Sequence, residues 1–257
     1  MMMTIAHPPE YPAQDFDPIE LGQTLRTRGA VLLRGLLPAG HFATWLPVFE
    51  AAYARYDARY QAGLLDEQNV QNLYRYGNVQ PGYIQQFGEW LKQTLGEPRL
   101  RGFLGAYFGK DAYLLRQSSA PRRQGPVHPE HALVFHQDQE FLGPMQRAIN
   151  VWVPLTPAGG DWPGLELQLD APQLPLLSMA MSVPEREAVC AGLPPESLWR
   201  PVLTPGDVLI FTPYTVHRTW LEPTMNHTRI SSEIRLISGP DTHLSTSPLM
   251  HFDFSNK

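Results

Sequence analysis

Proline is the residue that most limits what this chain can fold into, because it is unevenly placed. Sixteen of the 26 prolines lie between Pro121 and Pro223, whereas Pro81 alone falls between Val48 and Glu97. Proline fixes φ and lacks an N–H, so it breaks helix interiors and is confined in sheets to edges and bulges. The chain therefore permits helices early and requires short strands and loops later. Proline and glycine together make up 46 of the 257 residues, short of the roughly 25–30% that marks low-complexity sequence. Aromatic residues, at 11%, suffice for a packed core.

Charge excludes several classes of partner. Arginine outnumbers lysine 17 to 3, but acids outnumber both and the net charge is −5. No basic field favours a phosphate backbone, so nucleic acid is not expected as a partner. The longest run without Asp, Glu, Lys or Arg, residues 35–49, has 15 residues and two prolines. A membrane span needs about 20 apolar residues, so no membrane association is expected. The first ten residues lack the apolar stretch of a signal peptide, and a cytoplasmic location is the expectation. A single cysteine, Cys190, excludes an intrachain disulfide.

The local patterns fit this division. Asp17-Pro18 opens a helix that Gly29 ends. Residues 30–34 read as a strand. Phe42, Trp45, Leu46, Phe49, Ala52, Tyr53 and Tyr56 form one helical stripe within residues 41–60, with a kink or break expected at Pro47. Helices are expected over about 82–95 and 97–108. After Gly109 the period changes to two, with strands expected at 112–118, 133–138, 148–155, 165–169, 208–212, 216–220 and 229–237. Such short strands with turn punctuation suggest a sandwich or jelly roll. We expect one domain over 1–257: a helical part over about 17–110, a strand core over about 111–240 and a tail over 241–257.

The most informative tripeptide is His136-Gln137-Asp138. On a strand, residues i and i+2 share a face, so an imidazole and a carboxylate can sit side by side. His217 follows 79 residues later. Two histidines and a carboxylate form the facial triad of non-haem Fe(II) oxygenases, which leaves coordination positions open for a bidentate oxoacid and O2. Arg229, 12 residues past His217, shares a strand face with Ser231. A buried guanidinium and a hydroxyl can clamp a carboxylate.

At these residues the chain resembles the phytanoyl-CoA dioxygenase-like branch of the Fe(II)/2-oxoglutarate-dependent oxygenases. The resemblance rests on Phe135-His136-Gln137-Asp138, on Asn150-Val151-Trp152-Val153-Pro154-Leu155, on residues 203–211 with His217, and on residues 229–235. It implies a double-stranded β-helix, or jelly roll, with N-terminal helices packed outside. It also implies iron on His136, Asp138 and His217, with 2-oxoglutarate as cosubstrate and O2 as oxidant. The far carboxylate of 2-oxoglutarate would rest on Arg229 with Ser231 beside it, and Arg235, on the same face, competes for that role. Trp152 is a candidate wall of the cosubstrate pocket, and Arg116 or Gln117 a candidate contact from a neighbouring strand. The family's halogenating members lack the carboxylate, so Asp138 points to hydroxylation or a related oxidation. The loop after the Leu-Glu strand, Leu169-Asp170-Ala171-Pro172, departs from the Pro-Gly-Ser-His of many members.

Other features carry less. His128-Pro129-Glu130-His131 reads as a loop at the rim of the site, and Arg122-Arg123 as a solvated loop pair. Arg218 points away from its neighbouring ligand and reads as structural. The substrate is expected to be a small molecule, free or carrier-bound, met by the 69–81 and 121–130 loops and the proline-rich 156–202 insert. Oligomeric state is open. Two other readings stand: a cupin-type metalloenzyme that needs no 2-oxoglutarate, and a non-catalytic ligand-binding β-helix.

Overall fold

A computed structural model describes residues 8–70, 77–109, 111–115, 119–126, 128–142, 147–171, 174–178, 180–239 and 249–254. Strand β1 (Glu10–Pro12) precedes helix α1 (Pro18–Arg28) and strand β2 (Ala30–Arg34). The ends of α1 follow from its caps. Asp17 accepts from the backbone N–H groups of Ile19 and Glu20, and Gly29 closes the helix in the left-handed region at φ 88°. Helix α2 (Ala39–Gln61) runs through Pro47 as one element, so Pro47 does not break it. Helices α3 (Phe87–Leu95) and α4 (Pro98–Phe108) complete the first half, a 3-10 turn at Pro81–Tyr83 replacing the start expected for α3.

The second half supplies strands β3 (Asp111–Leu115), β4 (Pro121–Gln124), β5 (Ala148–Pro154), β6 (Gly164–Gln168), β7 (Leu198–Trp199), β8 (Val208–Phe211), β9 (His217–Trp220), β10 (Arg229–Ile237) and β11 (Leu249–Asp253). Two helices interrupt them: a single turn, α5 (Gln139–Leu142), and α6 (Val183–Ala191). Helix α6 was not expected in so proline-rich a stretch. Pro184 sits in its first turn, where no N–H is needed, and Ser182 and Glu185 form a capping box. The strand expected over 133–138 is not formed; His136 makes an isolated bridge to His217, and α5 begins one residue after Asp138. The stretch expected as a tail contains β11, which pairs antiparallel with β3.

These strands form two sheets. The larger runs β1-β2-β8-β5-β10-β3-β11, with β4 also on β10; the smaller runs β7-β6-β9. All pairs are antiparallel except β1 with β2. The period of two explains the layering. Val31, Leu33, Ile149, Val151, Ile210, Ile230 and Ile234 point to the outer face of the large sheet and pack with Phe49, Trp90 and Phe103 of the helices. The alternate residues Ala30, Leu32, Trp152, Leu209 and Phe211 point inward and pack with Leu165, Leu167 and Trp199 of the small sheet. Burying both faces leaves one interior between the sheets, where inward polar residues must find partners. No helix among the described residues is long and apolar enough to cross a membrane.

Candidate metal centre

His136, Asp138 and His217 meet in that interior, each offering a ligand atom, with all these atoms within 4.8 Å of one another. The chain brings them together by a turn and a bridge rather than by a shared strand face. His136 exchanges both backbone hydrogen bonds with His217 at 3.0 Å, which sets the two rings 4.1 Å apart between centroids. The helical turn that starts at Gln139 swings Asp138 back, so that its Oδ1 lies 3.8 Å from His136 Nε2.

Each ligand is oriented by a second contact. His136 Nδ1 lies 2.8 Å from the Val134 carbonyl and His217 Nδ1 2.9 Å from the Thr215 carbonyl. A carbonyl can only accept, so Nδ1 carries the proton in both rings and Nε2 presents a lone pair. Thr215 is itself held, its hydroxyl donating at 2.6 Å to the carbonyl of Gly29, the residue that ends α1. Asp138 Oδ2 accepts from Asn150 Nδ2 at 2.7 Å and Arg235 Nη2 at 3.2 Å. Asp138 Oδ1 is buried with no hydrogen-bond partner. A buried carboxylate oxygen without a donor is costly unless a cation meets it. Two lone-pair nitrogens and one such oxygen, on one convergent set, fit a divalent transition metal.

The charges agree with this. Burial, with His217 alongside, pushes His136 down to about 3, so its ring is neutral and ready to ligate. Burial alone would raise the Asp138 carboxyl, but Arg235, His217 and His136 more than offset it and hold Asp138 below the usual carboxylate range.

Beside the triad lies a cavity with about 310 Å3 of empty space, part of it open to solvent, that touches His136, His217, Trp152, Thr219, Arg122 and Arg229. Arg229 is fully buried, with its guanidinium carbon 5.2 Å from the centre of the Trp152 ring. Its Nη1 donates to the Gly164 carbonyl at 2.8 Å, while its Nε has no partner. Burial, with Arg122 nearby, pulls Arg229 down to about 9, and the Glu233 carboxylate offsets this only in part. Ser231 shares its strand face and is buried with an unpartnered Oγ.

Arg235 is engaged differently. It bridges Asp138 and Glu233, at 3.2 and 2.9 Å, and is raised because these two carboxylates outweigh burial. The alternative anchors of the sequence reading thus differ: Arg229 faces the cavity and Arg235 faces Asp138.

Other expected residues fall as follows. Arg116 and Gln117 lie outside the described residues, as does the 71–76 part of the polar loop. Arg122-Arg123 is not a solvated loop, because Pro121–Gln124 pairs with β10. This register sends Arg122 toward the cavity, where it donates to Glu233 at 3.0 Å, and Arg123 to the outer face, where it forms a fork with Asp57. Arg218 pairs with the fully buried Glu166, as does Arg200. His128 and His131 stack on each other in a 3-10 turn and are not among the triad.

Sequence reasoning missed Asn150, Glu233 and Gln137. Asn150 and Glu233 carry one signal, a polar side chain at an inward position of a largely apolar strand; Gln137 carries another, its place between two triad members. Gln137, between two triad members, is fully buried; its amide donates to the carbonyls of Tyr214 and Leu174 and accepts from the N–H groups of Leu176 and Leu177. It thereby fastens part of the proline-rich insert to the triad.

No protein-family model matches the sequence, and no curated protein matches it. Solved structures do match in fold. The carbocyclase SnoK from nogalamycin biosynthesis, described as non-heme and α-ketoglutarate-dependent, superposes with a TM-score of 0.62 at 14% identity, over 95% of this chain and 94% of its own. AviO1 from Streptomyces viridochromogenes Tue57 gives 0.59 at 16% identity, over 89% and 97%. The epimerase SnoN in complex with Fe3+, α-ketoglutarate and nogalamycin RO gives 0.56 at 17% identity, over 86% and 83%. These likenesses establish a shared fold.

Proposed function

We propose that this chain is a non-haem Fe(II)- and 2-oxoglutarate-dependent oxygenase of the phytanoyl-CoA dioxygenase-like kind, acting as one catalytic unit on a jelly-roll core, which hydroxylates a small molecule. The observation that carries the reading is the convergence of three ligand atoms beside a cavity that is also lined by the buried Arg229, whose Nε has no partner. The shared fold with α-ketoglutarate-dependent enzymes supports it.

The proposed net reaction converts substrate C–H, 2-oxoglutarate and O2 into C–OH, succinate and CO2. Iron, held by His136, Asp138 and His217, would supply the oxidising chemistry. The protein's work is placement. Arg229 offers a fork for the far carboxylate of 2-oxoglutarate, Ser231 offers an O–H, and the Trp152 ring keeps the cavity wall dry. The carbonyls of Val134 and Thr215 hold both imidazoles in the ligating tautomer. Leu133, Leu165 and Phe211 line the same cavity and limit water, which strengthens the pull of Arg229 on an anion. A 2-oxoglutarate-independent metalloenzyme would give the buried Arg229 guanidinium and the Ser231 hydroxyl beside it no carboxylate to clamp.

The test is anaerobic reconstitution with Fe(II) and 2-oxoglutarate. A metal-to-ligand charge-transfer band is expected in the wild type and not in His217→Ala, with succinate formed once O2 is admitted. An unchanged spectrum on addition of both components would overturn the reading. Product mass then separates hydroxylation, which adds one oxygen, from ring closure, which removes two hydrogens, and from epimerisation, which changes neither.

A further inference from the structure

Strand β10 carries Arg229, Ser231, Glu233 and Arg235 on its inner face, all buried. The last two continue into an unbroken polar chain. Arg122, on the cavity wall, donates to Glu233 Oε2 at 3.0 Å; Glu233 Oε1 lies 2.9 Å from Arg235 Nη2; and that nitrogen donates to Asp138 Oδ2 at 3.2 Å. The sheet register makes the last link firm. Arg235 stands directly opposite Asn150, and Glu233 opposite Trp152. Arg235 and Asn150 therefore approach the same carboxylate oxygen from adjacent strands.

We propose that Glu233 and Arg235 are positioning residues of the metal centre, which hold Asp138 with one oxygen committed to the protein and the other turned to the metal, and which tie that carboxylate to the wall of the anion cavity. The inference rests on the metal reading above. A carboxylate with both oxygens free can chelate a metal through both and occupy an extra coordination position. Here Oδ2 is held by two donors, so Oδ1 is the oxygen left for the metal. Glu233 sits between two arginines and balances both. Without it, Arg235 loses one of the two carboxylates that share its Nη2 and draws more strongly on Asp138. At the other end, Arg122 loses this carboxylate and makes the cavity more attractive to an anion. The two binding events should then respond to Glu233 in opposite directions. A merely loosened fold would weaken both.

The experiment uses full-length protein and needs no turnover. Mn(II) binding is followed through the spin-resonance signal of the free ion, and 2-oxoglutarate binding to metal-free protein through tryptophan fluorescence. Glu233→Gln is expected to weaken Mn(II) about 10–100-fold, the usual effect of removing an outer-shell partner, while 2-oxoglutarate binds as tightly as to wild type or more tightly. Arg235→Lys keeps the charge but, on a shorter side chain, not the position of Nη2, the nitrogen that meets both carboxylates, so it should weaken Mn(II) with little effect on 2-oxoglutarate. Should Glu233→Gln fail to fold, Arg235→Lys carries the test. Mn(II) affinity within twofold of wild type in a folded variant, or parallel weakening of both ligands, would overturn the proposal. Failure of the wild type to bind Mn(II) would instead overturn the metal reading itself.

Discussion

Asn150 donates to Asp138 Oδ2 at 2.7 Å, and both side chains are completely buried. The contact joins β5 to the last residue of the His-Gln-Asp tripeptide, so a strand of the large sheet aims a residue that belongs to no strand. Replacing Asn150 by Ala should lower metal affinity about 10–100-fold with the fold retained, as measured by Mn(II) titration and circular dichroism.

Metal binding should also stabilise the fold. At a concentration 100 times the dissociation constant, a ligand bound only by the native state adds about 2.7 kcal/mol. For a chain of this size that corresponds to roughly 5–10 °C in Tm. Thermal unfolding with and without Mn(II) measures it, and His136→Ala, Asp138→Ala and His217→Ala should each abolish the shift.

Arg229 is expected to hold the cosubstrate. Arg229→Met should weaken 2-oxoglutarate by about 2–5 kcal/mol, roughly 30-fold to several thousandfold, as loss of one partner of a buried charged pair does. Arg229→Lys should recover part of this, because charge returns without the bidentate fork. Tryptophan fluorescence of the metal-free protein reads the affinity directly.

The Gln137 side chain makes four hydrogen bonds, three with Leu174, Leu176 and Leu177 and one with the Tyr214 carbonyl, and so fastens residues 174–177 to the triad. Gln137→Ala leaves those backbone groups unsatisfied and should cost about 3 kcal/mol of stability. Amide hydrogen exchange should quicken at Leu176 and Leu177, whose N–H groups donate to the Gln137 side chain. Unchanged exchange at both would show that the segment is held by other contacts.

His41 supplies a pH signature. It stacks on Trp90 and pairs with Thr94, and burial pushes it down to about 4 from its ordinary 6.5. The unfolded chain takes up this proton first, so the contribution of neutral His41 is present above about pH 6.5 and is lost as pH falls toward 4. The stability difference between wild type and His41→Phe should therefore be constant above pH 6.5 and move in the variant's favour below it, as read from urea unfolding at several pH values.

Much of this architecture is written locally. Asp17, Pro18 and Gly29 bound α1 because capping and φ preferences act within a few residues. Alternation in Arg229–Ile237 marks a strand whose bounds the structure reproduces, and the Phe42–Tyr56 stripe packs as a helix face. That His136, Asp138 and His217 could belong together was legible from their donor types, and the fold does bring them within reach of one another. Their arrangement was not legible. The sequence suggested a shared strand face for His136 and Asp138; instead a backbone bridge to His217 and the turn at Gln139 bring the three together.

The same limit applies to the arginines. Periodicity placed Arg229 and Arg235 on one face and could separate them no further. Only the tertiary structure assigns one to a cavity and the other to Asp138 and Glu233. It also turned Arg122 from a loop residue into a wall of the site, through the pairing of Pro121–Gln124 with β10. The physical reason is range. Chain conformation is set by steric preferences that extend over a few residues. Which buried charge meets which partner depends on contacts between segments a hundred residues apart, and in a low-dielectric interior those contacts decide what each group can do.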